Sequence, residues 1–216
     1  MSGVSQGTEA WRQSRCGVIT ASNFKHVVAR KKSDGESLKA RQTYMRTLAF
    51  ERISQIPVHE LTAKSLAWGK TNEGRARAEY EIRSGNICTE VALLMHPDMP
   101  FVGASPDALI DDDGGAEIKC PISEHIHMGT WLDGMPEEHI PQVQGAMFVT
   151  GRKWWDFISF DPRLGEHPTA IYVERIPRDA AYQQMLEEEL WQFELELRAT
   201  VKKIVDRATT HWRMAA

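Results

Sequence analysis

Apolar positions along the chain fall at helical spacing near both ends and into short strand-like runs in the middle. Residues 11–28 carry Val18, Ile19, Phe24, Val27 and Val28, with Thr20 or Ser22 placed to cap a helix. The basic loop Arg30-Lys31-Lys32-Ser33-Asp34-Gly35 follows, and residues 38–53 predict a helix through Leu38, Tyr44, Leu48 and Phe50, closed by Pro57. A further helix is expected over 62–84, because Gly85 suits the left-handed residue that ends helices. From Ile87 the pattern turns to β, with strands expected at 87–95, 101–102, 108–110 and 116–120. Asp111-Asp112-Asp113-Gly114-Gly115 has the composition of a hairpin turn between the last two. Helical spacing returns over 123–131 and 136–149, two more strands are expected at 153–160 and 170–176, and a long helix over 178–207 closes the chain. Tyr182, Leu186, Leu190, Phe193, Leu197, Val201 and Ile204 mark its apolar stripe.

This alternation predicts an α/β fold, a mixed sheet flanked by helices. A chain of 216 residues suffices for one well-buried domain and is too short for two large ones, so a single domain over 1–216 is expected. With 42% hydrophobic and 26% charged residues, no part is depleted enough to predict wholesale disorder. Met1-Ser2-Gly3-Val4 lacks a basic-then-apolar leader, and no run of about 18 apolar residues is present, which predicts a cytosolic protein with no membrane contact. The three cysteines are odd in number and widely spaced, so reduced thiols are expected rather than a disulfide framework or a paired-Cys zinc site. A net charge of −4 argues against a protein that coats DNA by overall basicity, so DNA contacts must come from local patches.

Candidate chemistry lies in Pro106-Asp107 and Glu117-Ile118-Lys119. Alternate strand residues share a face, so Glu117 and Lys119 project together while Ile118 points to the opposite layer. Asp107 precedes Glu117 by ten positions across the Gly-rich turn, which lets adjacent strands bring both carboxylates to one hard cation, with the Ile118 carbonyl as a further oxygen donor. Phosphodiester hydrolysis needs an attacking hydroxide, neutralised phosphate charge and a stabilised leaving oxygen, and Mg²⁺ supplies all three. Lys119 would stand beside the attacking water and offset phosphate charge.

Around this pattern stand Trp11 with Arg15-Cys16-Gly17-Val18-Ile19-Thr20-Ala21-Ser22, Leu66-Ala67-Trp68-Gly69-Lys70 leading to Glu73, Ser105 before Pro106, Cys120-Pro121 after Lys119, Gln142-Val143-Gln144, and Tyr172-Val173-Glu174-Arg175. In these ordered blocks the chain resembles the phage lambda exonuclease family, the viral recombinase-type nucleases of the Pro-Asp/Glu-x-Lys superfamily. The resemblance implies a restriction-endonuclease-like α/β core with a central mixed β-sheet flanked by α-helices. It implies that Asp107, Glu117 and the Ile118 carbonyl bind metal, that Glu73 helps to hold a second ion, that Lys119 assists the nucleophile and that Gln142 lines the site. The ions would be two Mg²⁺, with Mn²⁺ as a substitute. Arg15 and Ser22 would hold the 5′-phosphate of the degraded strand, Leu66 would be the apolar wedge at the DNA end, and Lys31 and Lys32 would be candidate backbone contacts. Ala108 replaces the Gly that often follows the Pro-Asp pair in the family. The activity implied is processive 5′→3′ digestion of linear duplex DNA to mononucleotides, leaving 3′ overhangs. A ring-shaped homotrimer, a phage-type single-strand annealing partner and a bacterial host cytoplasm complete the implied picture.

Two other functions share these residues: a site- or structure-selective endonuclease, and a silent DNA-end-binding recombination scaffold. Asp111, Asp112 and Asp113 are consecutive turn residues that rarely converge on a metal, and His125 and His127 lack a companion Cys pair for zinc. Trp154-Trp155 is expected to pack a strand on the core, and Glu187-Glu188-Glu189 to be the wet face of the last helix.

Overall fold

The computed structural model describes residues 5–29, 39–58 and 64–215, with the side chains of 64–66 and 212–215 excepted. Helix α1 (Glu9–Ser14) leads to strand β1 (Ile19–Thr20), the short helix α2 (Phe24–Val27) and the long helices α3 (Lys39–Ser54) and α4 (Lys64–Ser84). Strands β2 (Cys88–Thr89), β3 (Leu94–Met95), β4 (Val102–Ala104), β5 (Ala108–Ile110) and β6 (Gly114–Lys119) follow. Helices α5 (Glu124–Asp133) and α6 (Ile140–Thr150) connect β6 to β7 (Trp154–Phe160), and β8 (Ile171–Pro177) precedes helix α7 (Ala180–Ala215).

The strands form a five-stranded sheet in the order β2-β5-β6-β7-β8 and a three-stranded sheet in the order β1-β4-β3. In the larger sheet β6 and β7 run parallel while the other pairs are antiparallel, so the expected mixed α/β architecture is present. The parallel step requires a long crossover, and α5 with α6 supplies it. Alternation along the strands divides the interior into two layers. Ala108, Ala116, Ile118 and Ile158 pack with Ala76 and Tyr80 of α4, whereas Trp155 joins Val143 and Met147 of α6 and Leu186, Leu190 and Phe193 of α7.

Four departures from the sequence expectation stand out. The helix expected over 11–28 is broken, because Gly17 takes a φ of +71° and the Ile19 amide bonds to the Phe101 carbonyl at 2.8 Å, drawing Ile19 and Thr20 into a strand beside β4. Thr20 stands at the N-cap of a single 3-10 turn, Ala21–Asn23, without a side-chain capping bond, whereas Thr8 caps α1 by accepting from the Trp11 amide at 3.2 Å. The strand expected over 87–95 is two strands in different sheets. The stripe on α7 is buried from Leu186 through Leu197, but Ile204 is 45% exposed where the helix runs past the core.

Gly114 and Gly115 belong to β6 rather than to the turn, which is residues 111–113 with Asp111 at a φ of +45°. The indole of Trp155 fills the space beside Gly115, where an added Cβ would lie 2.3 Å from the ring. Gly115→Ala is therefore expected to destabilise the fold by about 2 kcal/mol, the overpacking range. That corresponds to a fall of roughly 4–8 °C in melting temperature for a chain of this size. An unchanged thermal midpoint would contradict this packing.

Candidate metal and phosphate site

The β5–β6 hairpin brings the acidic residues together. Asp107 stands just before β5 and its Oδ2 accepts from the Ile118 amide at 2.7 Å, so the carboxylate is tied to the strand that bears Glu117. Glu117, 2% exposed, accepts from Lys119 Nζ and from Gln142 Nε2, each at 2.6 Å through Oε1. Lys119 also donates to Gln142 Oε1 at 3.4 Å. Ile118 points the other way, into the layer with Ala116 and Ile158. Gln142 and Gln144 are about 200° apart around α6 and do different work. Gln144 is buried, donating to the Pro177 carbonyl at 2.9 Å and accepting from the Asp179 amide at 3.0 Å, which fixes the approach to α7.

Helix α4 buries Asn72, Ala76 and Tyr80 at four-residue spacing, which leaves Glu73 half-buried at the edge of that contact. Its Oε1 accepts from Arg77 at 3.1 Å, and Arg77 also pairs with Glu90. Burial pushes the Asp107 carboxyl well above the usual range, and repulsion from Glu117 and Glu73 adds to this against the opposing Lys119 ammonium and Ile118 amide. Burial also raises Glu73, with Arg77 opposing and Glu117 and Glu90 reinforcing. Burial alone would lower the Lys119 ammonium, but Glu117, Asp107 and Glu73 raise it, so Lys119 is held as a cation.

Among the described residues, no group of three or more His, Cys, Asp or Glu side chains stands in metal-holding geometry. The Glu117 Oε1 is instead engaged by Lys119 and Gln142, and one Asp107 oxygen by an amide. The donor chemistry nevertheless suits a hard divalent cation: these are carboxylate and carbonyl oxygens, and three mutually repelling carboxylates gain from a positive charge between them. Consecutive Asp111, Asp112 and Asp113 are exposed at the turn, with Asp113 paired to Lys153 at 2.8 Å. His127 is fully buried between Ser159 Oγ at 2.8 Å and the Thr169 carbonyl at 2.7 Å, so it braces α5 on the sheet.

The small sheet assembles a second cluster. Parallel pairing of Ile19 with Val102 and Thr20 with Gly103 sets the residues after each strand side by side. Arg15 donates to Ser105 Oγ at 2.9 Å and to Thr20 Oγ1 and Ser22 Oγ at 3.3 Å, while its guanidinium lies 4.5 Å from the centre of the Trp11 ring. Trp11 Nε1 donates to Ser105 at 3.1 Å. Helix α3 holds the backbone of this segment. Buried Glu51 accepts from the Gly17 and Val58 amides at 2.8 Å each, Arg52 donates to the Gly17 carbonyl at 3.0 Å, and the Thr20 amide donates to Tyr44 at 3.2 Å. Ser105 is two residues from Asp107, so the two clusters share one loop.

Sequence gave Ser105 no role beyond its adjacency to Pro106-Asp107, and its meaning depended on the β1–β4 pairing. Lys25 and His139 carried no sequence signal of a role in the site. Both line a cavity of about 230 Å³ with Ser22, Lys119 and Gln142. His139 stacks on Phe157 at 5.2 Å, and burial, aided by Lys119, depresses its imidazole to about 4. Lys31 and Lys32 lie outside the described residues, and Leu66 is described in its backbone alone.

Residues 10–153 match the YqaJ-like viral recombinase domain. The chain is similar to the crystal structure of an alkaline exonuclease (LHK-Exo) from Laribacter hongkongensis, with 38% identity and a TM-score of 0.84 over 94% of this chain and 99% of that one. The structure of LHK-Exo in complex with dAMP gives 37% identity, the same TM-score and the same coverage. A phage related exonuclease from Haemophilus somnus 129PT shares the fold at 12% identity and a TM-score of 0.61, over 88% of this chain and 96% of that one. No curated protein sequence matches the chain.

Proposed function

Because the chain belongs to the YqaJ-like viral recombinase domain family and is a homologue of an alkaline exonuclease, we propose that it is a divalent-metal-dependent exonuclease acting on the ends of duplex DNA. In this reading 1–216 is one nuclease domain, digestion runs 5′→3′, and it leaves 3′ overhangs for strand annealing. The observation that carries it is the joining of the Asp107-Glu117-Lys119-Gln142 cluster to the Arg15-Ser22-Ser105 cluster through the loop Ser105-Pro106-Asp107.

Asp107, Glu117 and the Ile118 carbonyl would hold the metal, with Glu73 toward a second ion. Mg²⁺, or Mn²⁺ in its place, supplies charge neutralisation and activation of water when bound. Lys119, kept cationic by its neighbours, presents an ammonium to a phosphate oxygen. Gln142 fixes the orientation of the Glu117 carboxylate through its amide. Arg15 offers a guanidinium fork backed by three hydroxyls, a donor set suited to a terminal phosphate dianion. Leu66, near the start of α4, is the wedge in this reading. A homotrimeric ring would account for processivity, and a single-strand annealing protein would be the partner for the product strand.

The decisive comparison is digestion of linear and covalently closed circular DNA in Mg²⁺ and in chelator. We expect mononucleotides from linear duplex in Mg²⁺ alone, with circular DNA untouched. Cutting of circular DNA would favour the endonuclease reading, and binding of ends without any metal-dependent release would favour a scaffold. Among the described residues no helix is long and apolar enough to cross a membrane.

A further inference from the structure

Besides the Ser105–Asp107 loop, two cavities with shared lining residues lie between the two clusters. A cavity of about 1160 Å³ runs along Arg15, Thr20 and Ser22 to Lys25. The smaller cavity of about 230 Å³ begins at the same Ser22 and Lys25 and ends at Lys119 and Gln142. Ser22 and Lys25 line both cavities, so a strand whose terminal phosphate rests on Arg15 and whose next phosphodiester reaches Glu117 and Lys119 would run beside them.

That passage crosses unfavourable ground for a polyanion. Asp107, Glu117 and Glu73 crowd one end, and the Lys119 ammonium is already bonded to Glu117 at 2.6 Å. Arg15 stands at the other end. Between them Lys25 is exposed at the second position of α2, and no described residue pairs with its ammonium. It lines both cavities, on the larger side with Arg15 and Ser22 and on the smaller side with Lys119 and Gln142. His139, stacked on the Phe157 ring, and the exposed carboxylate of Glu138 line the same small cavity, so Glu138 adds a further negative charge to the path.

Resting on the exonuclease reading, we infer that Lys25 is a substrate-binding residue that holds the internal phosphodiester of the degraded strand between the Arg15 cluster and the Glu117-Lys119 cluster. Its ligand is a backbone phosphate monoanion, as distinct from the terminal phosphate at Arg15. An ammonium suits this duty because it is a point charge that tolerates a sliding backbone, whereas a bidentate fork would fix one phosphate in register.

The test is binding of a 5′-phosphorylated linear duplex in chelator over a salt series, for the full chain and for Lys25→Gln and Lys25→Arg. One phosphate contact contributes close to one unit to the slope of log affinity against log salt. Lys25→Gln is expected to lower that slope by about one and to weaken low-salt binding by roughly tenfold. Lys25→Arg should restore the slope. The preference for 5′-phosphate over 5′-hydroxyl ends should persist in Lys25→Gln, since the terminal phosphate belongs to Arg15. An unchanged slope in Lys25→Gln, with the original chain binding normally, would overturn the Lys25 assignment alone. Loss of the end preference in that variant would also overturn it, by placing Lys25 in the terminal pocket. A chain that binds no DNA end would overturn the exonuclease reading and this inference together.

Discussion

Lys119→Ala is expected to reduce metal-dependent release of nucleotides from linear duplex DNA by about 10²–10³-fold, the range seen when one preorganised donor is removed from a developing charge. The reason lies in how the ammonium is held. Glu117, Asp107 and Glu73 keep it protonated, and the bond to Glu117 at 2.6 Å fixes its position before substrate arrives. The variant retains the Glu117–Gln142 bond and the Asp107–Ile118 bond, so the hairpin itself should persist. Binding of the DNA end in chelator should consequently change by only a few fold, about what loss of one partly screened charge costs. Asp107→Ala should also lose turnover with binding largely kept, because the carboxylate serves the chemical step. Single-turnover digestion beside an anisotropy titration separates the two effects. Turnover preserved in either variant would remove Asp107 and Lys119 from the proposed site.

The second large effect concerns the end itself. A 5′-phosphorylated blunt duplex should be digested roughly 10–100-fold faster than its 5′-hydroxyl counterpart, since hydrogen bonds to a charged partner contribute about 1.5–3 kcal/mol. Arg15→Ala should bring the two rates together, chiefly by slowing the phosphorylated substrate. Hydrogen bonds from a guanidinium to the dianion of a terminal phosphate are stronger than those it makes to the neutral hydroxyls of Ser105, Thr20 and Ser22. Equal rates on both ends in the unaltered chain would eliminate the phosphate pocket. Preserved discrimination in Arg15→Ala would place the pocket elsewhere.

Much of the fold was legible because periodicity reports burial. The spacing of Tyr44 and Leu48, of the Leu186–Leu197 stripe, and of the strands at 108–110 and 153–160 follows directly from which face meets the core. Failures occurred where a partner distant in sequence overrode a local pattern. Ile19 and Thr20 sit among helical signals, yet pairing with Val102 and Gly103 makes them a strand. Gly114 and Gly115 read as turn residues, yet Trp154 and Trp155 from a neighbouring strand occupy the space their side chains would need. Glu194 falls within the α7 stripe as a buried carboxylate, 1% exposed, and its bidentate pairing with Arg52 of α3 at 2.7 and 3.0 Å, beside the bond from Arg198 one turn on at 2.6 Å, accounts for it.

The candidate site divides in the same way. Glu117 and Lys119 share a strand face by the two-residue period, and Asp107 reaches them across a hairpin, so that triad was determined by local sequence alone. Gln142, Glu73 and the Arg15 cluster were legible only through family resemblance, because α6, α4 and β1 converge on the hairpin through long-range packing that no local pattern encodes. Which glutamine of Gln142 and Gln144 faces Glu117 depended on the rotation of α6, fixed by burial of Val143, Ala146 and Met147. Ser105, Lys25 and His139 acquired meaning only when parallel pairing of β1 with β4 and the approach of α2 to α6 enclosed common space. Short-range periodicity sets what a residue faces within its own element, whereas the meeting of elements is set by burial of whole faces, a property of the assembled chain.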